Sequence, residues 1–334
     1  MNGRYLGHVS RMDPLYGYLR HDILPQLGVS RHDPEFRVFQ SVCSRDVYLY
    51  AEKRSGARVV GKFYPERRGP DRVMKGETEY NNLVFLRSLG LDSPPHYVVR
   101  PLGYNADIGG LLVMEHLGGQ VLGAVINQAI HQGERDRLYR KLASLAHFLA
   151  TMHNRTAKDW GVVFTDAWAY TGRLIGSLVA KRGMGRDHSD ELYALRDAWR
   201  ERGCMWEDRA VLAHGDVTPS NFLFGGGDHV MAIDLERMQW ADRVFDLGRL
   251  CGELKHFFCQ GTGGFGGAEP FIGHFLWEYC RHFPDRMSAF SAITRRAPFY
   301  IGITLLRIAR NSWIDQHYRW RLVHEAKQTL RALP

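Results

Sequence analysis

The segment HGDVTPSNFLF, residues 214–224, brings a histidine, a carboxylate and an amide close together in the chain. A second acid, Asp234, follows at the end of the apolar run HVMAID. Carboxylate and amide oxygens suit Mg²⁺, which retains water and takes further ligands from substrate phosphates. Asn221 and Asp234 therefore predict a metal site. Asp216 is left free to orient an attacking hydroxyl and to accept its proton.

Three short strands are predicted around these residues, over 210–214, 221–225 and 229–234, with GGGD as the turn between the last two. A turn centred between Gly227 and Asp228 would place Asn221 opposite Asp234. Directly opposed residues of an antiparallel pair have Cβ atoms about 4.5–5.5 Å apart, close enough to share one divalent ion.

Lys62 lies in the apolar run VVGKFY, where an unpaired ammonium group would be costly. Residues 46–52 and 57–64 are predicted to form a hairpin, and 75–89 a helix with Glu79 on the same face as two leucines, Leu83 and Leu86. Glu79 is therefore the predicted partner of Lys62. The alternatives are Glu77 as the partner, or an edge-strand lysine that reaches water.

The predicted elements divide the chain into an N-terminal part rich in strands and a C-terminal part rich in helices. Strand-like LLVME (111–115) ends at Gly118 and Gly119. Helices are predicted beyond it, at 134–153, 189–202, 242–259, roughly 297–312 and 318–332. We predict a nucleotide-binding lobe over 38–115, a catalytic and substrate-binding lobe over 116–334, and an N-terminal extension over 1–37.

These motifs resemble the aminoglycoside phosphotransferase and choline kinase-like branch of the protein-kinase-like superfamily. The pattern H-x-D-x-x-x-x-N and the later Asp match the catalytic-loop and metal-binding motifs of kinases. IDLE (233–236), FDLGRL (245–250) and LASLAHFLATMH (142–153) are similar to other segments of that branch. The resemblance covers roughly residues 38–255. It implies an α+β, bilobal protein-kinase-like fold with a small antiparallel-sheet N-lobe and a larger, mostly helical C-lobe.

The resemblance also implies roles for the candidate residues. Asp216 would be the catalytic carboxylate, with His214 bracing its loop, and Asn221 and Asp234 would bind Mg²⁺. Lys62, held by Glu79, would bind the α and β phosphates of ATP or GTP.

The adenine pocket and the phosphate-covering loop are less clearly marked. Met114 would border the base, and the backbone of Glu115 to Leu117 would hydrogen-bond it. The loop FQSVCSRDVYLY has no glycine, so Ser41, Ser44 and their amides are the expected substitutes. This departure leaves the choice between ATP and GTP open.

The composition fits a soluble protein, with 45% hydrophobic and 24% charged residues. No apolar run is long enough to cross a bilayer and no secretory signal is evident, so we expect a cytoplasmic protein without a membrane span. Five scattered cysteines indicate reduced thiols. The formal charge is +8, but there is no Lys/Arg run or nucleic-acid motif, so a nucleic-acid partner is not predicted. The oligomeric state is left open.

The charge of the C-terminal region bears on the phosphate acceptor. Residues 241–334 contain 13 Lys/Arg and 8 Asp/Glu, a net charge of +5. A polycationic aminoglycoside calls for an acidic pocket. We therefore expect a neutral or anionic hydroxyl compound, such as a sugar-like metabolite or an amino alcohol derivative. A local acidic patch of Asp187, Asp190 and Glu191 would instead favour a cation.

Three rival functions use the same residues. A catalytically silent, kinase-like module could sense a nucleotide without turnover. A metal-dependent hydrolase would need more ligands near Asp234 than the sequence offers. A protein kinase would need a longer activation segment than LERMQWADRVFDLG (235–248).

Overall fold

The computed structural model describes residues 3–42, 44–64 and 73–332, with side chains in the last range from Lys75 onward. The chain divides into two compact units. Unit 1 comprises Met1–Gly119 and Met231–Glu236, and unit 2 comprises Gln120–Val230 and Arg237–Pro334.

Unit 1 is built on antiparallel strands. Its strands and helices are β1 (Gly3–His8), α1 (Pro14–Tyr18), β2 (Phe36–Ser41), β3 (Val47–Glu52), β4 (Arg58–Phe63), α2 (Val73–Ser88), β5 (Asp92–Ser93), β6 (His96–Val98), β7 (Pro101–Asn105) and β8 (Leu111–Glu115). Six of the strands form a sheet in the order β1-β2-β3-β4-β8-β7. The predicted hairpin, the helix over 75–89 and the strand over 111–115 are confirmed by β3, β4, α2 and β8.

The segment predicted as an N-terminal extension takes part in this sheet. Strand β1 pairs with β2, with Gly3 opposite Ser41. The following residues bury Leu19 and Ile23 in one core with Phe36, Leu111 and Val113. Residues 3–8 thus add an edge strand to the sheet, and residues 15–24 pack against it.

Unit 2 is mostly helical. Its elements are β9 (Gln120–Val121), α3 (Leu122–His131), α4 (Arg135–Thr156), α5 (Phe164–Arg182), α6 (Arg186–Arg200), β10 (Val211–Ala213), β11 (Phe222–Phe224), β13 (Gln239–Ala241), α7 (Arg243–Thr262), α8 (Glu269–Cys280), α9 (Arg286–Ala309) and α10 (Gln316–Arg331). Strand β12 (Val230–Ala232) lies at the point where the chain leaves unit 2. The predicted α+β class, with a smaller sheet-containing part and a larger helical part, is confirmed.

The five predicted helices correspond to α4, α6, α7, α9 and α10, but α3, α5 and α8 were missed. Helix α9 also begins at Arg286, well before the predicted start at 297. Pro298 lies inside it and made the preceding residues look like a boundary. Among the described residues, no helix combines the length and apolarity needed to cross a bilayer.

Glycines allow α7 to pack closely against α9. A Cβ at Gly248 would lie 2.3 Å from Cβ of Tyr300, and one at Gly252 would lie 2.5 Å from Cγ2 of Thr304. Tyr300 is 2% exposed and cannot move aside into solvent. The absence of side chains at these two positions therefore sets the distance between the helices.

We expect Gly248→Ala to destabilise the protein by about 1–3 kcal/mol, because the added methyl group overpacks this contact. Gly273→Ala in α8 is the matched control, since nothing lies within 4 Å of its Cβ position. That change should stabilise by about 0.5–1 kcal/mol through helix propensity. Urea unfolding of both variants tests the packing, and equal effects at the two positions would contradict it.

His256 lies on α7 and packs against Tyr318 of α10. Its Nδ1 lies 2.8 Å from the hydroxyl of Tyr318, and burial lowers the pKa of His256 to about 4. An unfolded histidine has a pKa of about 6.5, so between these values the unfolded state binds more protons. The stabilising contribution of neutral His256 is present above about pH 6.5 and is lost as the pH falls toward 4.

We therefore expect the difference in unfolding free energy between wild type and His256→Gln to shrink by about 2–3 kcal/mol from pH 7 to pH 4. Urea unfolding at closely spaced pH values measures this difference. A gap that stays constant over the window would show that His256 titrates normally in the fold.

Candidate active site

Lys62 lies on an interior strand of the unit 1 sheet. Strand β4 pairs with β3 on one side and β8 on the other, so Lys62 stands opposite Val47 and Leu112. The edge-strand alternative is therefore excluded. Its side chain is 16% exposed, and Nζ lies 3.0 Å from Oε2 of Glu79. The predicted Lys62–Glu79 ion pair is present.

Two further carboxylates surround the same ammonium group. Nζ of Lys62 lies 2.6 Å from Oδ1 of Asp234 and 3.1 Å from Oε2 of Glu236. Burial alone would lower the pKa of Lys62, but the charges of Glu79 and Asp234 hold that pKa above its ordinary value. Lys62 therefore keeps its positive charge although it is largely buried.

Glu79 connects α2 to the segment that carries Asp234. Its side chain is fully buried, accepts a hydrogen bond from the hydroxyl of Tyr64, and accepts another from the amide of Leu235 at 3.1 Å. The amide of Asn82 donates to the carbonyl of Leu235 at 3.0 Å. These bonds fix the backbone of Leu235, directly after Asp234.

The backbone at Asp234 is itself unusual. It has φ of 64°, and it is the one non-glycine residue with positive φ in the described part of the chain. Such a conformation costs about 1–2 kcal/mol for an L residue. Strand β12 ends at Ala232, so Asp234 lies beyond the strand and not at its last residue, as the sequence predicted. The ion pair with Lys62 and the bonds around Leu235 hold this conformation.

Glu79, Asp234 and Glu236 place carboxylate oxygens within 4.8 Å of one another, and no other such group of three occurs among the residues that the structure describes. Glu79 is buried against Lys62 and Tyr64. Asp234 and Glu236 have side chains that are 36% and 29% exposed. An all-oxygen donor set of this kind fits Mg²⁺. The two exposed carboxylates are the ones able to reach a cation.

The other predicted nucleotide contacts are placed as follows. Met114 is buried on β8. The amide of Glu115 donates to the carbonyl of Arg100 at 3.0 Å, so it is not available to a base. The carboxylate of Glu115 accepts from the hydroxyl of Tyr97. Leu117 follows the strand, half-buried, and Ser44 Oγ accepts from the amide of Asp46 at 3.3 Å in the loop before β3.

In unit 2, Asp216 lies in the loop after β10 and is 7% exposed. Its Oδ1 lies 2.8 Å from Nη2 of Arg307, and its Oδ2 lies 3.8 Å from Nε of Arg237. Nη1 of Arg307 also lies 3.1 Å from Oε1 of Glu253 on α7. The candidate catalytic carboxylate is thus oriented by an arginine from α9.

The loop that carries Asp216 is fixed by a second, fully buried carboxylate. Asp246 on α7 accepts hydrogen bonds from the amides of His214 at 2.7 Å and Gly215 at 3.0 Å. His153 at the end of α4 contacts the same carboxylate at 3.1 Å. Burial opposes ionisation, but the hydrogen bond from His153 lowers the pKa of Asp246. Asp246 is therefore held as an anion that receives loop amides.

Gly215 is the residue that this loop geometry requires. Its φ is 81°, and a Cβ there would lie 1.9 Å from the carbonyl oxygen of Arg237. Backbone that approaches this closely excludes any side chain. The glycine between His214 and Asp216 is thus explained by steric contact with the turn at Arg237.

His214 and Asn221 both contact the backbone of Asp216. The His214 ring is buried against Phe222, and its Nδ1 accepts from the amide of Asp216 at 3.4 Å. Asn221 is 6% exposed and its amide donates to the carbonyl of Asp216 at 3.0 Å. Both side chains therefore shape the loop.

The predicted register of the turn after β11 is wrong. The amide of Gly225 donates to the carbonyl of His229 at 3.3 Å, which centres the turn on Gly227 and shifts each partner by one residue. The register no longer argues for pairing Asn221 with Asp234. Their joint role in metal binding stays a prediction that follows from the resemblance.

Several charged residues of these clusters were not identified from the sequence: Arg307, Arg249, Glu253, Asp246 and His153. Arg307 lies in the apolar run IGITLLRIA of α9, where an unpaired charge would be costly. Like Lys62, it could therefore have been predicted to have a buried partner. Asp246 and His153 were noted only as parts of similar segments.

The sequence matches a known protein family. The phosphotransferase enzyme family matches residues 35–283. No curated protein sequence matches the chain significantly. Among solved structures, a choline kinase from Cryptosporidium parvum Iowa II is 12% identical, with a TM-score of 0.62 over 95% of this chain and 94% of that one.

Two other solved structures are similar over most of their length. An ADP-bound aminoglycoside phosphotransferase, APH(2'')-Ib, is 14% identical with a TM-score of 0.57, covering 95% of this chain and 97% of that one. The choline kinase LicA from Streptococcus pneumoniae is 16% identical with a TM-score of 0.53, covering 88% and 94%. At such low sequence identities, the structural similarity shows a shared fold. Because the family match spans most of the sequence, the chain belongs to the phosphotransferase enzyme family.

Proposed function

We propose that this phosphotransferase moves the γ-phosphate of ATP or GTP, with Mg²⁺, to a hydroxyl group of a neutral or anionic small molecule. The observation that carries the proposal is the 2.6 Å contact between Lys62 Nζ and Asp234 Oδ1. It joins a charged, buried lysine to a partly exposed carboxylate, the pair of groups that a metal–triphosphate complex requires.

Lys62 would bind nucleotide phosphates through its ammonium group. Glu79 is buried and holds Lys62, leaving Asp234 and Glu236 to contact Mg²⁺ with their more exposed oxygens. When bound, Mg²⁺ would neutralise charge on the phosphate oxygens. Asn221 is proposed as a further ligand on the strength of the resemblance.

Asp216 would accept the proton of the acceptor hydroxyl. Arg307 fixes one of its oxygens, and the amides of its loop are fixed by Asp246. Proton transfer by a positioned carboxylate and orientation of the hydroxyl are the contributions that phosphoryl transfer asks of the protein. His214 would brace this loop.

Contacts in unit 2 support a neutral or anionic acceptor. In the predicted acidic patch, Glu191 is paired with Lys327 at 2.6 Å and with Arg331. An aromatic ring can bind an ammonium group, but the ring of Trp168 is covered by the guanidinium groups of Arg196 and Arg200, at 4.2 and 4.8 Å from its centroid. Both features favour an acceptor without positive charge.

Asp216→Asn should lower the turnover number by about a hundredfold to ten-thousandfold, because the amide cannot accept the proton. Nucleotide with Mg²⁺ should still raise the melting temperature, since Lys62 and Asp234 are intact. The assay uses labelled ATP or GTP and a pool of hydroxyl metabolites, with products identified by mass.

The exposed Asp136→Asn in α4 serves as the control and should leave turnover unchanged. Near wild-type turnover of the Asp216 variant would show that Asp216 is not the base. Nucleotide binding by wild type without transfer to any pool member would instead identify a silent nucleotide-sensing module.

Asp246→Asn should reduce both stability and turnover. The side-chain NH₂ of the new asparagine would face a donor and leave one N–H of the loop without an acceptor. We expect this to lower the free energy of unfolding by about 2–3 kcal/mol. Urea unfolding measures the loss of stability, and kcat at a temperature well below the transition measures the loss of loop geometry.

Asp285→Asn is the comparison, because Asp285 caps the exposed N-terminus of α9 through the amide of Ser288 at 3.0 Å. It should change stability slightly and leave kcat unchanged. If Asp246→Asn behaves in the same way, the buried carboxylate does not position the catalytic loop.

A further inference from the structure

Glu253 is a buried carboxylate on α7 to which the proposed reaction gives no role. It is 7% exposed, and its Oε1 accepts a hydrogen bond from Nη1 of Arg307 on α9 at 3.1 Å. Burial raises the pKa of Glu253, while the positive charges of Arg307 and Arg249 oppose that rise. A glutamate is almost never buried unless it is paired. Arg307 is thus the hydrogen-bonded partner that the burial of Glu253 requires.

The packing of α7 against α9 fixes the two helices beside this ion pair. A Cβ at Gly252, the residue before Glu253, would lie 2.5 Å from Cγ2 of Thr304. Thr304 precedes Arg307 by almost one turn of α9. The side chains of Glu253 and Arg307 therefore extend from two backbones that are held in close contact.

Arg307 transmits this fixed position to Asp216. Its Nη2 donates to Oδ1 of Asp216 at 2.8 Å, while Nη1 is bound by Glu253. An arginine side chain has several rotatable bonds and adopts many rotamers when only one end of its fork is bound. Contacts at both terminal nitrogens fix the plane of the guanidinium, and with it the oxygen of Asp216 that Arg307 binds.

The two oxygens of Asp216 therefore have different surroundings. Oδ1 is hydrogen-bonded to Arg307, whereas Oδ2 lies 3.8 Å from Nε of Arg237, which is beyond hydrogen-bonding distance. A general base must present an oxygen within hydrogen-bonding reach of the proton that it accepts. Oδ2 is the oxygen that the bond to Arg307 leaves for this role.

We infer that Glu253 is a positioning residue for phosphoryl transfer: it holds Arg307, Arg307 holds Oδ1 of Asp216, and Oδ2 accepts the proton of the acceptor hydroxyl. In this step the acceptor oxygen forms a bond to the γ-phosphorus, the bond from that phosphorus to the β-phosphate oxygen breaks, and the hydroxyl proton moves to Oδ2. The inference rests on the proposed function for the role of Asp216 as the base. It adds a residue that acts on the base through an arginine.

The test is a double-mutant cycle on kcat, measured with labelled nucleotide. Glu253→Gln should lower kcat about tenfold to a hundredfold and leave the KM for nucleotide unchanged, because the base loses its fixed orientation. Arg307→Gln should lower kcat at least as much. The double variant should be no slower than Arg307→Gln alone, because Glu253 acts only through Arg307. A loss equal to the product of the two single losses would contradict the inference.

Glu278→Gln is the matched control. Glu278 on α8 also pairs with two arginines, Arg281 at 2.8 Å and Arg286 at 3.4 Å, and neither hydrogen-bonds to Asp216 in the described part of the chain. This variant should leave kcat unchanged at a temperature well below its unfolding transition, whatever its effect in urea unfolding. If Glu253→Gln likewise changes stability but not kcat, Glu253 has a structural role only and the inference is wrong.

Two further variants complete the experiment. Glu253→Asp covers the case in which the glutamine variant does not fold: it keeps the charge on a shorter side chain, so its kcat should lie below that of wild type and above that of Glu253→Gln. Asp216→Asn separates this inference from the proposed function. Loss of turnover in Asp216→Asn with unchanged kcat in both Glu253 variants would leave the reaction standing and overturn the role of Glu253 alone. Near wild-type turnover of Asp216→Asn would overturn both.

Discussion

A lysine ammonium group can remain charged inside an apolar sheet only if carboxylates surround it, and this constraint organises unit 1. Lys62 stands on an interior strand, and three acids converge on it from α2 and from the segment after β12. Besides its ion pair with Lys62, Glu79 accepts hydrogen bonds from the hydroxyl of Tyr64 and from the amide of Leu235. Asp234 and Glu236 are the more exposed carboxylates of the three. The need to compensate one buried charge thus yields a site with an excess of negative charge next to a cation.

Unit 2 solves a similar problem with backbone amides. Asp246 is fully buried and is compensated by His153 and by two N–H groups of the loop that bears Asp216. The loop is held by its backbone, so the side chain of Asp216 is oriented by Arg307 and carries none of the bonds that hold the loop to Asp246. Gly215 is part of the same arrangement, because the backbone at 237 passes where a side chain would stand. In both units, a buried acid fixes the main chain beside a more accessible acid.

The sequence predicted the residues whose type conflicts with their surroundings. Lys62 in an apolar strand requires a partner, and the helical periodicity around Glu79 identified that partner. The contact between Lys62 and Asp234 spans 172 residues and could not be derived from local spacing. The turn register was wrong because a run of three glycines has no preferred centre. Helices α5 and α8 were missed because their aromatic residues obscure the apolar periodicity. Arg249 and Arg307 are buried charged residues on helices. The reasoning that singled out Lys62, a charge in an apolar stretch of sequence, applies to helices as well.

The path of the chain limits which fragments can contain the whole of unit 1. Met231–Glu236 belong to unit 1, although the rest of that unit ends at Gly119. A fragment that stops at Gly119 would keep the whole six-stranded sheet but would lose the carboxylate of Asp234 and the amide of Leu235, leaving Lys62 and Glu79 with unmet bonding needs. Unit 1 therefore cannot be produced as one contiguous piece of the chain with its acidic segment in place.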